Sequence, residues 1–187
     1  MSEQFVISHA SPTLAGIKTG NMFTVKVDKG TDIYQEIREL NAILKKKGLR
    51  VIPLKRTSTY ALIYIYRPGH LKKDLDNPTA RRILINKGYG DSKAEVLITQ
   101  LVSRLNEDGE FPHEIGLFLG YPPADVECFM NNPCSGVECS GCWKAYSNPE
   151  AARKTFSMYK KCTDVYQRLN KNGKSLYQLT VSARNTV

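Results

Sequence analysis

Residues 49–66 read LRVIPLKRTSTYALIYIY, and this stretch decides the fold class. Leu49 to Lys55 and Thr59 to Tyr66 are two strand-length runs rich in β-branched and aromatic residues. The link between them, Arg56-Thr57-Ser58, is short enough for a hairpin. In the second run Tyr60, Leu62, Tyr64 and Tyr66 fall on one face and Ala61, Ile63 and Ile65 on the other. A strand apolar on both faces is one covered on both sides, so this run is expected at the centre of a sheet.

Outward from the hairpin, helical and strand signals alternate. Upstream, Ser11-Pro12 reads as an N-cap followed by Pro at the first helical position, opening a short helix that stops near Gly20. Asn21 to Val27 alternates as a strand, and Asp32 caps a helix to about Lys47. That helix carries Ile33, Ile37, Leu40 and Leu44 on one stripe and has Gly48 as its stop. Downstream, Asn77-Pro78 caps a helix through Asn86, and Asp91-Ser92 opens another to Asn106. Residues 113–120, HEIGLFLG, read as a strand, followed by a short helix from Ala124 to Met130. A Cys-, Gly- and Asn-rich loop spans 131–142, Trp143 to Tyr146 reads as a strand, and Asn148-Pro149 caps a last helix to about Asn170. The expectation is an α/β (mixed α+β) fold, with a mixed five-strand sheet containing one hairpin and flanked by helices. Residues 1–175 are expected to form one domain, with 176–187 a tail that either adds a strand or frays.

At 187 residues, with 41% hydrophobic and 24% charged residues, the chain buries roughly two thirds of its unfolded surface without needing a disulfide. Its start lacks a basic stretch, an apolar core and a cleavage site, so no targeting segment is expected. The longest apolar run, Tyr60 to Tyr66, is far short of the ~20 residues of a spanning helix, so no membrane partner is expected. Five cysteines without an export signal point to a reducing, cytoplasmic setting. The net charge of +9 invites nucleic acid, but the Lys and Arg are scattered over several helix surfaces. Dispersed charge counts against a nucleic-acid partner.

Cys134, Cys139 and Cys142 are spaced C-x4-C-x2-C, with Cys162 further on. Thiolates at such spacing hold zinc or an iron–sulfur cluster when they converge. Against that, Cys162 falls on an apolar helical stripe, and Cys139 with Cys142 could equally be a redox dithiol. His113 and Glu114 are candidates for a general base or a polar pocket group. Adjacent residues of a strand point to opposite faces, so the two would act singly. His9, beside Ser8 and Ser11, is a third candidate, although spacing alone does not make a nucleophile and base.

The segments HASPTLAGIKTGNMF (9–23), FPHEIGLFLGYPPADV (111–126), GCWKAY (141–146) and KKCTDVY (160–166) together resemble the bacterial family called domain of unknown function 3793. The resemblance runs from about residue 5 to residue 170. It implies a cytoplasmic single-domain protein of anaerobic bacteria and carries no activity with it. Where that family often has Cys this chain has Ala10, so thiol chemistry from that position is absent. Three functions are therefore expected as alternatives. One is an accessory or ligand-binding protein with a pocket around His9 and His113; another is a metal or iron–sulfur protein using Cys134, Cys139, Cys142 and Cys162. The last is a hydrolase or transferase with His113 or Glu114 as base.

Overall fold

The structure is a computed structural model and describes residues 1–28, 30, 32–133 and 135–183. The chain divides into two compact units, the first made of residues 1–68 and those described from Lys161 on, the second of residues 69–160. No helix among the described residues is long and apolar enough to cross a membrane.

In the first unit β1 (Gly20–Lys26), β2 (Arg50–Arg56) and β3 (Tyr60–Tyr66) form an antiparallel sheet in the order β1-β3-β2. The strand apolar on both faces is the central one, as its pattern requires, and Ala61, Ile63, Tyr64 and Ile65 are buried. Helix α1 (Glu3–Leu14) packs on β1, and α2 (Ile33–Leu44) packs on β2. Asp32 caps α2 by accepting from the backbone N–H groups of Tyr34 and Gln35 at 3.0 and 3.1 Å. A 3-10 turn at 45–47 follows α2, and Gly48 ends it with φ of 80°, a left-handed geometry that costs glycine nothing. Along the outer edge of β2, the Asn41 side chain donates to the Val51 carbonyl at 2.7 Å and accepts from the Val51 N–H at 3.0 Å.

Helix α1 corrects the reading of Ser11-Pro12 as a helix start. The cap is Ser2, which accepts from Phe5 N–H, and Ser11 and Pro12 lie buried in the last turn. Ser11 donates its hydroxyl back to the Ile7 carbonyl one turn earlier. Burial of this last turn against the sheet outweighs the hydrogen bond that Pro12 cannot make.

The second unit holds α3 (Pro68–Leu75, its first residue excepted), α4 (Pro78–Asn86), α5 (Ala94–Asn106), α6 (Ile115–Phe118) and α7 (Pro123–Asn131). It also holds a two-strand hairpin, β4 (Cys139–Ser140) with β5 (Lys144–Ala145), and the first half of α8 (Pro149–Lys171). Asn77 caps α4 as expected, accepting from Thr79 and Ala80 N–H. On α5 the expected stripe of Ala94, Leu97, Ile98, Leu101 and Leu105 is buried.

Among the described residues the five-strand mixed sheet is not formed; the sheets there are one of three strands and one of two, both antiparallel. The largest difference lies at 113–120, where the expected strand is a tight turn leading into α6. The run from Glu114 to Leu119 is buried throughout, so it has no alternation to separate a strand from a buried helical turn. Gly116 decides the packing: a Cβ there would meet Val126 Cγ2 at 2.9 Å, so α6 lies against α7 at a distance only glycine permits. At the other expected strand, only Lys144 and Ala145 pair, and their partners are Ser140 and Cys139. Leu176–Leu179 forms a short helix, α9, with a Ser175–Gln178 capping box. Beyond it Val181 N–H donates to the Leu14 carbonyl and Ala183 N–H to that of Lys47.

Candidate functional site

A half-open cleft of about 170 Å³ lies in the second unit between α6, α7 and the β4–β5 hairpin. Its walls are mostly apolar: Ile115, Gly116 and Leu119 from the α6 segment, and Val126 and Phe129 from α7. Tyr121 and Trp143 extend the aromatic wall, and His113, Asp125 and Lys144 supply the polar groups. The stretches 111–126 and 141–146 provide all of these except Phe129.

Asp125 builds the site. It sits in the first turn of α7 and is 3% exposed. Its Oδ1 accepts from the N–H of Tyr146 (3.0 Å), the N–H of Ser147 (3.0 Å) and the Ser147 hydroxyl (2.8 Å). Its Oδ2 accepts from Trp143 Nε1 at 2.8 Å. One carboxylate therefore fastens the 143–147 segment to α7. Burial alone would raise its pKa, but these hydrogen bonds outweigh burial and hold the carboxyl below its ordinary value.

The aromatic groups brace one another. The Trp143 ring meets Phe156 edge-on at 4.5 Å and lies tilted against Tyr121 at 5.2 Å. A Cβ on Gly141 would clash with the Phe156 ring at its Cδ2, so the hairpin turn approaches α8 as closely as it does because residue 141 is glycine. Burial pushes the Tyr121 phenol up, with Cys142 and Tyr159 adding to the shift, and it stays protonated. Tyr159 is pushed up to about 12, again mainly by burial.

His113 and Lys144 flank Phe129. The His113 ring stands edge-on to Phe129 with centroids 5.0 Å apart, and Lys144 Nζ lies 5.5 Å from the Phe129 centroid. Lys144 Nζ also donates to the Pro133 carbonyl at 2.8 Å.

The other expected residues have different surroundings. Glu114 is 2% exposed and does not line the cleft. Its Oε1 accepts from the Tyr89 hydroxyl and from Arg104 Nε, both at 3.1 Å, so it ties α5 to the segment before α6. His9 belongs to the first unit and is exposed on α1. Its Nδ1 donates to the Phe5 carbonyl at 2.8 Å and its ring rests on Phe5 and Phe23. Ser8 and Ser11 donate to carbonyls one turn back, which occupies both hydroxyl protons within the helix. Cys139 opens β4 and Cys142 sits at the hairpin turn in the second unit, whereas Cys162 is half-buried on α8 in the first. Burial pushes the Cys162 thiol up. Cys134 lies outside the described residues, and among the described ones no three His, Cys, Asp or Glu side chains gather where they could hold a metal ion.

Of the cleft residues, sequence reasoning singled out His113 alone. Trp143, the one tryptophan in the chain, and Asp125, an acid just after a Pro-Pro turn, are the signals that could have led there. A family model described as "Protein of unknown function (DUF3793)" matches residues 6–180. The chain belongs to DUF3793. No curated protein and no solved structure matches it. In this DUF3793 chain the matched region includes every residue that lines the cleft.

Proposed function

We propose that this DUF3793 chain is a binding protein that receives one small, ring-sized apolar group in the cleft between α6, α7 and the β4–β5 hairpin. The carrying observation is the cleft itself: an apolar pocket walled by Phe129, Tyr121 and Trp143, with few polar groups in its lining. Small-molecule sites have this character, apolar walls with a small number of placed polar groups. The volume of about 170 Å³ sets the ligand size, since a cavity of about 150 Å³ accepts benzene.

Binding is favoured over catalysis by what the polar groups already do. The described lining holds no Ser, Thr or Cys to act as nucleophile. Asp125 is committed to four donors and Glu114 to Tyr89 and Arg104.

Trp143 makes the test direct, because the only indole in the chain is part of the wall. Titration with 2-phenylethanol, followed by Trp143 emission and by calorimetry, is expected to saturate with 1:1 stoichiometry. Leu119→Phe, which fills the cleft, is expected to weaken that binding about tenfold or more. A linear, non-saturating response, or equal binding to the filled variant, would remove the cleft as the site.

A further inference from the structure

Resting on the cleft being a binding site, we propose that its ligand is a small ring-bearing carboxylic acid, bound as the anion. The hydrogen-bonding capacity the cleft has left sets what it can recognise. An ionised carboxylate only accepts, and both Asp125 oxygens are engaged, Oδ1 by three donors and Oδ2 by the Trp143 indole. Asp125 is thus a poor partner for a hydroxyl or ammonium on a ligand.

The remaining polar groups are donors or can be. An ammonium has three N–H, and Lys144 directs one at the Pro133 carbonyl. Its Nζ lies 5.5 Å from the centroid of the Phe129 ring, and the His113 imidazole packs edge-on to the same ring. A ligand ring packed among Phe129, Tyr121 and Trp143 would carry its polar substituent toward Lys144. The group that best matches the N–H groups Lys144 has left is a monoanionic oxygen acceptor, because hydrogen bonds to charged groups are about twice as strong as neutral ones. Phosphate is a weaker match, since the forked guanidinium that suits it is absent from the described lining. The volume admits about one ring with a short substituent, so the occupant is a free small acid.

Calorimetry on the full chain would compare three probes with the same ring and chain: phenylacetate, 2-phenylethanol and 2-phenylethylammonium. Phenylacetate is expected to bind about tenfold tighter than the alcohol, and the ammonium weakest. In Lys144→Met the preference for acid over alcohol should fall to about twofold or less, and Lys144→Arg should restore much of it. Lys93→Met, at an exposed lysine outside the cleft, should keep the wild-type preference. Trp143 emission matching wild type would show that each variant keeps the hairpin in place. Alcohol or ammonium binding as tightly as the acid would overturn the proposal while leaving the cleft as a binding site. A Lys144→Met variant that kept the full preference would overturn it too. No binding by any of the three probes would overturn the cleft reading and this inference with it.

Discussion

Replacing Asp125 by Ala should release the segment that forms one wall of the cleft. The carboxylate accepts four hydrogen bonds, but they are not equivalent. Ser147 is exposed, so its N–H and hydroxyl can turn to water when the carboxylate is gone. Trp143 Nε1 and the Tyr146 N–H belong to partly buried residues and recover less. Counting only those two, at about 1.5 to 3 kcal/mol each for a bond to a charged acceptor, gives a loss of about 3 to 6 kcal/mol. That is a large share of the 5 to 15 kcal/mol typical of a folded chain. Urea denaturation followed by circular dichroism would show the midpoint falling, and Trp143 emission in native buffer would move to the red as the indole meets water. Asp125→Asn should fall between wild type and Ala, because the amide can still accept on one side. If Asp125→Ala shifted stability by less than about 0.5 kcal/mol, the range of ordinary surface changes, and left the emission unchanged, the carboxylate would not be what holds the hairpin.

Acid should loosen the same wall. The folded carboxyl of Asp125 lies below its unfolded value, so its stabilisation is fully present above the unfolded pKa, near 4, and is lost as pH falls through the folded one. Trp143 emission should therefore hold steady down to about pH 4 and move to the red below it, a step that Asp125→Asn should lack; an identical acid step in the variant would assign it to another group. Glu114→Gln weakens two charge-assisted bonds in a buried site, and should cost about 2 to 3 kcal/mol in thermal or chemical denaturation while leaving phenylethanol binding within twofold, since Glu114 does not line the cleft. Arg67, 4% exposed, donates to the carbonyls of Thr13, Leu14 and Val181 at 2.7 Å each. Arg67→Met should cost about 2 to 4 kcal/mol, and limited proteolysis should then cut after α9 sooner than in wild type.

Legibility in the sequence followed patterns that run over a whole element. The stripes of α2 and α5 could be read because each repeats over seven residues or more, and the β2–β3 hairpin and the central place of β3 because a short link joins two strand-length runs and the second is apolar on both faces. Asn77-Pro78 was legible for a different reason: cap and N1 proline act locally and need no tertiary partner. The same signal misled at Ser11-Pro12, where burial against a sheet elsewhere in the sequence outweighs local preference. At 113–120 no period existed to be read, and the contact of Gly116 with Val126 that fixes the turn is a tertiary fact. The site was hidden in the same way. His113 is visible as a titratable residue in an apolar run, but Asp125 and Trp143 gain their meaning from a hydrogen bond across 18 positions of sequence.

The Asn41 amide beside β2 bears on how this chain behaves in a crowded solution. The segment 60–66, YALIYIY, has the composition that templates fibrils when another chain can reach it. In the folded sheet that segment is the middle strand, shielded by β1 and β2, so any incoming strand must add at an edge. At β2 the outward-facing groups of Val51 are already taken by a side chain that imitates one residue of a further strand. Two residues on, by the two-residue period of the strand, Pro53 has no N–H to offer on the same side. At the β2 edge the ladder is thus closed off at Val51 and interrupted at Pro53, the kind of edge that resists an incoming strand.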